Sequence, residues 1–246
     1  MEAAHEIRQA VAQVALLRAA TVADARLGES VGRVKRLQAR RFAGTYADLM
    51  ASGPYAAAAR FFLDELYSDR DFAERDAQFA RIAGAIERLF PSQVAATAVA
   101  LARLHALTED LDQAVAARWG SADPADASDE LRYIVAWRRV ARRADRERQL
   151  SEVLGIGREM TRLTRTPGLR LMLRMMRAPA SAAGLQSLQQ FLEVGFDTFA
   201  GMSRLGSAER FLETVAQREA SLIRVLFDAQ ESDCERELAQ TLGQAP

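Results

Sequence analysis

The chain has 246 residues, 49% of them hydrophobic, with 33 basic and 33 acidic side chains, six Pro, 14 Gly and one Cys. This composition supplies a sizeable core, but the Pro and Gly are too few for a sandwich or barrel, which needs turn signals about every ten residues. The single Cys234 excludes an intrachain disulfide framework, and no run reaches the ~18 apolar residues of a membrane span.

Ala, Leu, Arg and Glu dominate, and all are strong helix formers. The expectation is an all-α fold: a single globular multi-helix domain over residues 1–246, with about eight to ten helices and a polar tail from about 230. Ridge-into-groove packing is expected rather than a long coiled coil. The N-terminus, MEAAHEIRQA, has no basic segment leading into an apolar core, so the expected location is cytoplasmic.

In chain order, Ile7, Val11 and Val14 mark one face of a helix over 3–27, which Gly28 is expected to end. A second helix spans 30–51 and stops at Ser52-Gly53-Pro54. A third, over 55–67, closes at Ser68-Asp69, and a fourth runs over 71–90. Pro91-Ser92 opens a fifth that reaches Trp119. Ser128, followed by Asp129 and Glu130, is a good N-terminus because acids complement the helix dipole. The pattern then runs to about Thr166 with a bend near 144–150. Pro167-Gly168 and Pro179 bracket a short helix over 169–177. Leu185, Leu188, Leu192, Phe199 and Met202 keep heptad spacing, and Gly195 in the remaining seam position predicts close helix approach. A last helix over 207–229 carries Phe211, Val215, Leu222 and Leu226 on one face; the tail beyond Gln230 is expected to fray.

The stretch 40–82 holds five of the 11 Phe and three of the four Tyr. Phe42, Tyr46, Phe61, Phe62, Leu66 and Phe72 are therefore the expected centre of the core.

Charge is uneven. Residues 132–177 hold 13 Arg against four acids, a net of +9, which leaves −9 for the remainder. Only Lys35 among the 33 basic residues is Lys, a bias that composition alone explains, and neither a presented recognition helix nor basic loops are legible, so nucleic acid is not expected as a partner. Arg158, Arg162 and Arg165 sit at i, i+4 and i+7, and Arg170, Arg174 and Arg177 repeat the spacing beside Leu169, Met172, Leu173 and Met176. The first expectation is that this ribbon is buried, with Arg170, Arg174 or Arg177 paired to carboxylates of the 64–76 stretch. The other two are that these Arg bind a partner or an anion, or that helix 169–177 lies on an anionic membrane surface.

Few residues suit catalysis. His5, in a Glu-x-x-His pair with Glu2, lacks the second pair and the additional Glu that a di-iron bundle needs, so no metal site is expected. His105 flanks the stripe formed by Val94, Leu101, Leu104, Leu111 and Val115 and is read as a structural His. It is also the one candidate for a haem ligand, in a globin-like arrangement with Tyr46, Phe61 and Phe62 upstream. Neighbouring acids such as Asp64-Glu65 do not share a helix face. No nucleophile elbow or phosphate-cradling loop is present, and Cys234 sits among acids that disfavour its thiolate.

RRFAGTYADLM, FFLDELYSDRDFAERD and TPGLRLMLRMMRAPASAAGLQSLQQFLEVGFDTF resemble an uncharacterised family of bacterial all-helical proteins that shares an FFL-x-x-LY…DF-x-x-RD core and a GLQ-x-LQ-x-FLE-x-GF segment. The resemblance covers most of 40–199 and implies one intact domain in a bacterial cytoplasm, with no activity, cofactor or catalytic residue to transfer.

With side chains for acid–base work at neutral pH nearly absent, the first functional expectation is a non-enzymatic helical protein-interaction or regulatory protein. It leaves open a protein partner or homo-oligomer. A helical ligand-binding domain, with haem through His105, ranks second. Peripheral membrane association through 169–177 ranks third.

Overall fold

The computed structural model describes residues 2–51, 53–65, 72–121 and 127–245, and among these every regular element is helical. The helices are α1 (Glu2–Ala23), α2 (Ala25–Thr45), α3 (Ala47–Ala51), α4 (Ala56–Glu65), α5 (Ala73–Leu89), α6 (Ser92–Ala116), α7 (Asp129–Val140), α8 (Arg143–Leu163), α9 (Leu169–Met175), α10 (Arg177–Ala182), α11 (Gln186–Arg204), α12 (Ala208–Asp228) and α13 (Glu231–Gly243). None is long and apolar enough to cross a membrane.

The division is finer than eight to ten helices because local chemistry breaks the longer patterns. The first break comes at Asp24, not Gly28: its carboxylate accepts from the N–H groups of Arg26 and Leu27 at 2.9 and 3.2 Å, an N-cap for α2. Gly28 lies inside α2, where a Cβ would sit 3.1 Å from the Thr21 carbonyl oxygen. Its bareness lets the α1–α2 corner close. Ser128 caps α7 as expected, its hydroxyl accepting from the Leu131 N–H at 3.0 Å. The bend expected at 144–150 falls earlier, at Ala141, whose φ of 55° ends α7 in the left-handed region. Pro179 lies within α10, so the short helix it was expected to close becomes two.

Among the described residues, a small cluster of Leu163, Leu169 and Phe196 joins α8, α9 and α11, and three larger apolar clusters carry most of the packing. Ala4, Ala10, Ala83, Ala98 and Ala102, with Ile7 and Val14, let α1 lie close along α5 and α6. Phe42, Tyr46, Phe61 and Phe62 are buried with Phe199 and Phe211 in a second cluster. Of the rest of the expected centre, Phe72 is only half-buried and Leu66 lies outside the described residues.

The third cluster joins α2, α7, α12 and α13 through Val34, Tyr133, Trp137, Leu226, Leu238 and Leu242. The segment expected to fray is thus a docked helix. Cys234, Leu238 and Leu242 recur every four residues and form a buried stripe on an otherwise polar helix. Gly44 makes the docking close: a Cβ there would stand 1.8 Å from the Thr241 carbonyl oxygen. Burial pushes the Cys234 thiol up to about 11. Gly44→Ala should therefore displace α13, lower the melting midpoint and expose Cys234 to a thiol reagent that is inert toward the native protein. Equal labelling rates in variant and wild type would show that α13 is not held this way.

The basic segment 132–177 does fold onto acids elsewhere in the chain. Arg142 bonds Asp110 at 2.6 Å, Arg143 grips Asp228 through two bonds of 2.7 Å, and Arg146 lies 3.8 Å from Asp112. Among the described residues, its partners are not those of the 64–76 stretch. There, Glu65 takes Arg75 at 2.9 Å and Asp76 takes Arg18 at 2.7 Å; Asp69 and Asp71 lie outside the described residues.

Candidate functional site

Helices α5 and α6 meet at Phe90-Pro91 and run back along each other. Asp76 and His105 stand at nearly equal chain distance from that turn, so the hairpin brings them side by side, with His105 Nε2 2.9 Å from Asp76 Oδ2. Burial works against the charge of Asp76, but the contacts from His105 and Arg18 outweigh it and hold the carboxyl below its ordinary value. Asp76 therefore stays ionised and Nε2 is the donor.

Between this hairpin and helices α8–α11 lies a cavity of about 430 Å³, lined mostly by apolar side chains. Its walls include Ile82 and Ile86 from α5, Leu101 and Leu104 from α6, and Leu188 and Phe196 from α11. The lining is graded. Along α6 it passes from Val94, Ala98 and Leu101 to His105, Thr108 and Asp112; along antiparallel α5 it passes the other way, from Arg75 and Asp76 to Phe79 and Ile82. Gln149, near the start of α8, joins the polar end, while Met160 and Leu163 farther along are apolar. The result is an apolar chamber with polar groups gathered at one end.

The polar end is densely bonded. Lys35 Nζ reaches both Glu109 oxygens at 2.7 and 3.0 Å. Gln38 Nε2 donates to Asp112 at 2.9 Å, and Gln149 Nε2 donates to the Thr108 hydroxyl at 2.8 Å while its Oε1 accepts from Arg146 at 3.1 Å. Burial pushes the Asp112 carboxyl above its ordinary value despite Arg146 and Gln38.

Short helices α9 and α10 roof the chamber, with Leu169, Leu173 and Met176 facing in. The segment is flanked by Gly168 and Gly184, with φ of 80° and 66°, values that favour Gly. Its Arg ribbon lies outside, which corrects the expected burial. Arg170 bonds Asp197 at 2.9 Å, Arg177 bonds Glu193 at 2.7 Å, and Arg174 is exposed. The partners come from α11, the next helix along, because a roof packed on α11 reaches those acids without crossing the chamber. Arg174→Ala is accordingly expected to leave the melting midpoint unchanged in thermal denaturation; a marked fall would restore the buried reading.

His105 is thus the one expected ligand residue that lines the chamber. Tyr46, Phe61 and Phe62 do not join it: all three are packed in the aromatic cluster, and the Tyr46 hydroxyl donates to Glu219 at 2.9 Å. His5 is exposed on α1. Asp76, Asp112, Gln149 and Arg146 escaped the sequence reading. For Asp76 the signal was present: it stands about as far before the Phe90-Pro91 turn as His105 stands after it.

The motif segments converge on one wall of the chamber. The Arg75 guanidinium lies over Phe72 at 3.9 Å and over Phe191 at 4.4 Å. The Phe61 and Phe191 rings stack with centroids 5.8 Å apart. Gly195 admits Phe61, whose ring would stand 3.1 Å from an added Cβ, and the Leu188 N–H donates to Gln78 at 2.9 Å. A family model matches residues 17–233, which takes in both segments and the chamber's helices. The chain belongs to the family described as Domain of unknown function (DUF8198). No curated protein and no solved structure matches it.

Proposed function

We propose that the protein binds an elongated apolar small molecule in the α5–α6/α8–α11 chamber and acts as a non-enzymatic carrier or ligand-responsive regulator. The observation that carries this reading is the cavity of about 430 Å³, apolar along its length and polar at one end. Its size falls within the range of about 300–1,000 Å³ typical of small-molecule pockets. An apolar ligand there would remove lining surface from water, worth about 25 cal/mol per Å² of apolar area buried. The cytoplasmic setting and a regulatory partner belong to the same proposal.

The test is titration of the purified protein with a fluorescent fatty-acid probe, displaced by dodecan-1-ol. Saturable binding is expected, together with its loss in Ala85→Phe, which places an aromatic ring at a half-buried position on the chamber wall. Absence of binding in wild type, or full binding in an Ala85→Phe variant with a native helical spectrum, would overturn the reading.

Haem is the second reading, because His105 lines the chamber. Ligation through Nε2 would have to break the 2.9 Å contact with Asp76, which leaves Nδ1 as the nitrogen with a free lone pair. A Soret band on addition of hemin, lost in His105→Ala, would favour haem over a purely apolar ligand.

A further inference from the structure

A second, smaller cavity of about 50 Å³ lies beside the polar end of the chamber and shares Gln38, Thr108, Gln149 and Val153 with it as walls. Arg146 lines this side cavity and is only 6% exposed. Its guanidinium stacks 4.2 Å from the Trp137 ring centroid, and its Nη1 donates to Gln149 Oε1. Among the described residues Nη2 has no hydrogen-bond partner; it stands 3.8 Å from Asp112 Oδ1, too far for a bond. A buried guanidinium N–H left unsatisfied costs more than a neutral donor would. The other charged groups at this end are engaged: Lys35 by Glu109, Arg75 by Glu65, Asp76 by Arg18 and His105.

Resting on the chamber reading, we infer that the ligand is an amphiphile with a carboxylate head, and that Arg146 receives this head at the partition formed by Gln149 and Thr108. The acyl chain extends from there along Leu104, Leu101 and Ile86. The carboxylate supplies the acceptor that Arg146 Nη2 lacks, in the planar geometry a guanidinium favours. The second N–H of the Gln149 amide offers a further donor to the head, while Gln38 holds Asp112 through its own amide. An alcohol of the same chain length fills the chamber equally well but brings no charge to Arg146.

Dodecanoic acid and dodecan-1-ol, titrated against the full chain by displacement of an uncharged fluorescent probe, separate the two levels of the argument. Wild type is expected to bind the acid at least about tenfold more tightly than the alcohol, the effect of one charge-assisted hydrogen bond. Arg146→Met should abolish that preference and leave alcohol binding intact. Because removal of a buried Arg endangers folding, Gln149→Glu serves as the second variant. It places a carboxylate of the protein's own beside Arg146, and should exclude the acid while still admitting the alcohol. Equal affinity of wild type for acid and alcohol, or an acid preference that survives in the folded variants, would overturn the inference and leave the chamber reading standing. Failure of wild type to bind either compound would sink the chamber reading, and this inference with it.

Discussion

Glu219→Ala is expected to lower the free energy of unfolding by about 3–5 kcal/mol, since removing one member of a buried ion pair strands the other in a low-dielectric site. Glu219 lies in the apolar face of α12, and its Oε1 accepts from Arg41 at 2.6 Å and from the Tyr46 hydroxyl at 2.9 Å. Arg41 is only 4% exposed, so water cannot solvate it after the carboxylate is gone. Glu219→Gln keeps an acceptor for Tyr46 and should be milder. Asp48→Ala breaks the solvent-exposed bidentate pair with Arg218 and should be milder still, because water replaces the lost partner. Urea denaturation of the three variants checks the order. If Glu219→Ala matches Asp48→Ala, the Arg41–Glu219–Tyr46 cluster is not a buried network.

Phe62→Ala is expected to cost a similar ~3–5 kcal/mol by a different route, the cavity left by a large aromatic in a packed core. Phe62 is 4% exposed and meets Phe211 at 5.7 Å, Phe61 at 6.3 Å and Phe199 at 6.4 Å between ring centroids. Those partners come from α4, α11 and α12, so the void opens where three elements meet and no single side chain can fill it. An unchanged melting midpoint would mean that the aromatic cluster does not hold these helices together.

The helical class and most helix ends were legible because their causes are local. Ser128 caps α7 through its own hydroxyl, Pro91 opens α6, and Gly168 starts α9 with a backbone angle few other residues accept. Phe42, Tyr46, Phe61 and Phe62 could be assigned to the core from their density alone. The docking of α13 was readable and missed: the stripe of Cys234, Leu238 and Leu242 is short, and the charged residues between them mask it. Glu219 was also visible, as an acid at the i+4 spacing shared by Phe211, Val215 and Ile223 on α12.

Helix positions, apolar faces and the excess of Arg over acids in residues 132–177 are legible along the chain. These follow from side-chain chemistry within a few residues along the chain. Which acids those Arg meet, and where the chamber lies, depend on how distant helices pack against one another. Arg170 and Arg177 pair with Asp197 and Glu193, not with the 64–76 stretch, because α9 and α10 pack on α11 and a salt bridge needs contact within a few ångströms. Asp76 and His105 meet because two helices fold back at Phe90-Pro91. A cavity has no residues of its own: it is the space left when α5, α6, α8, α9, α10 and α11 have packed as closely as their side chains allow, so no one segment encodes it.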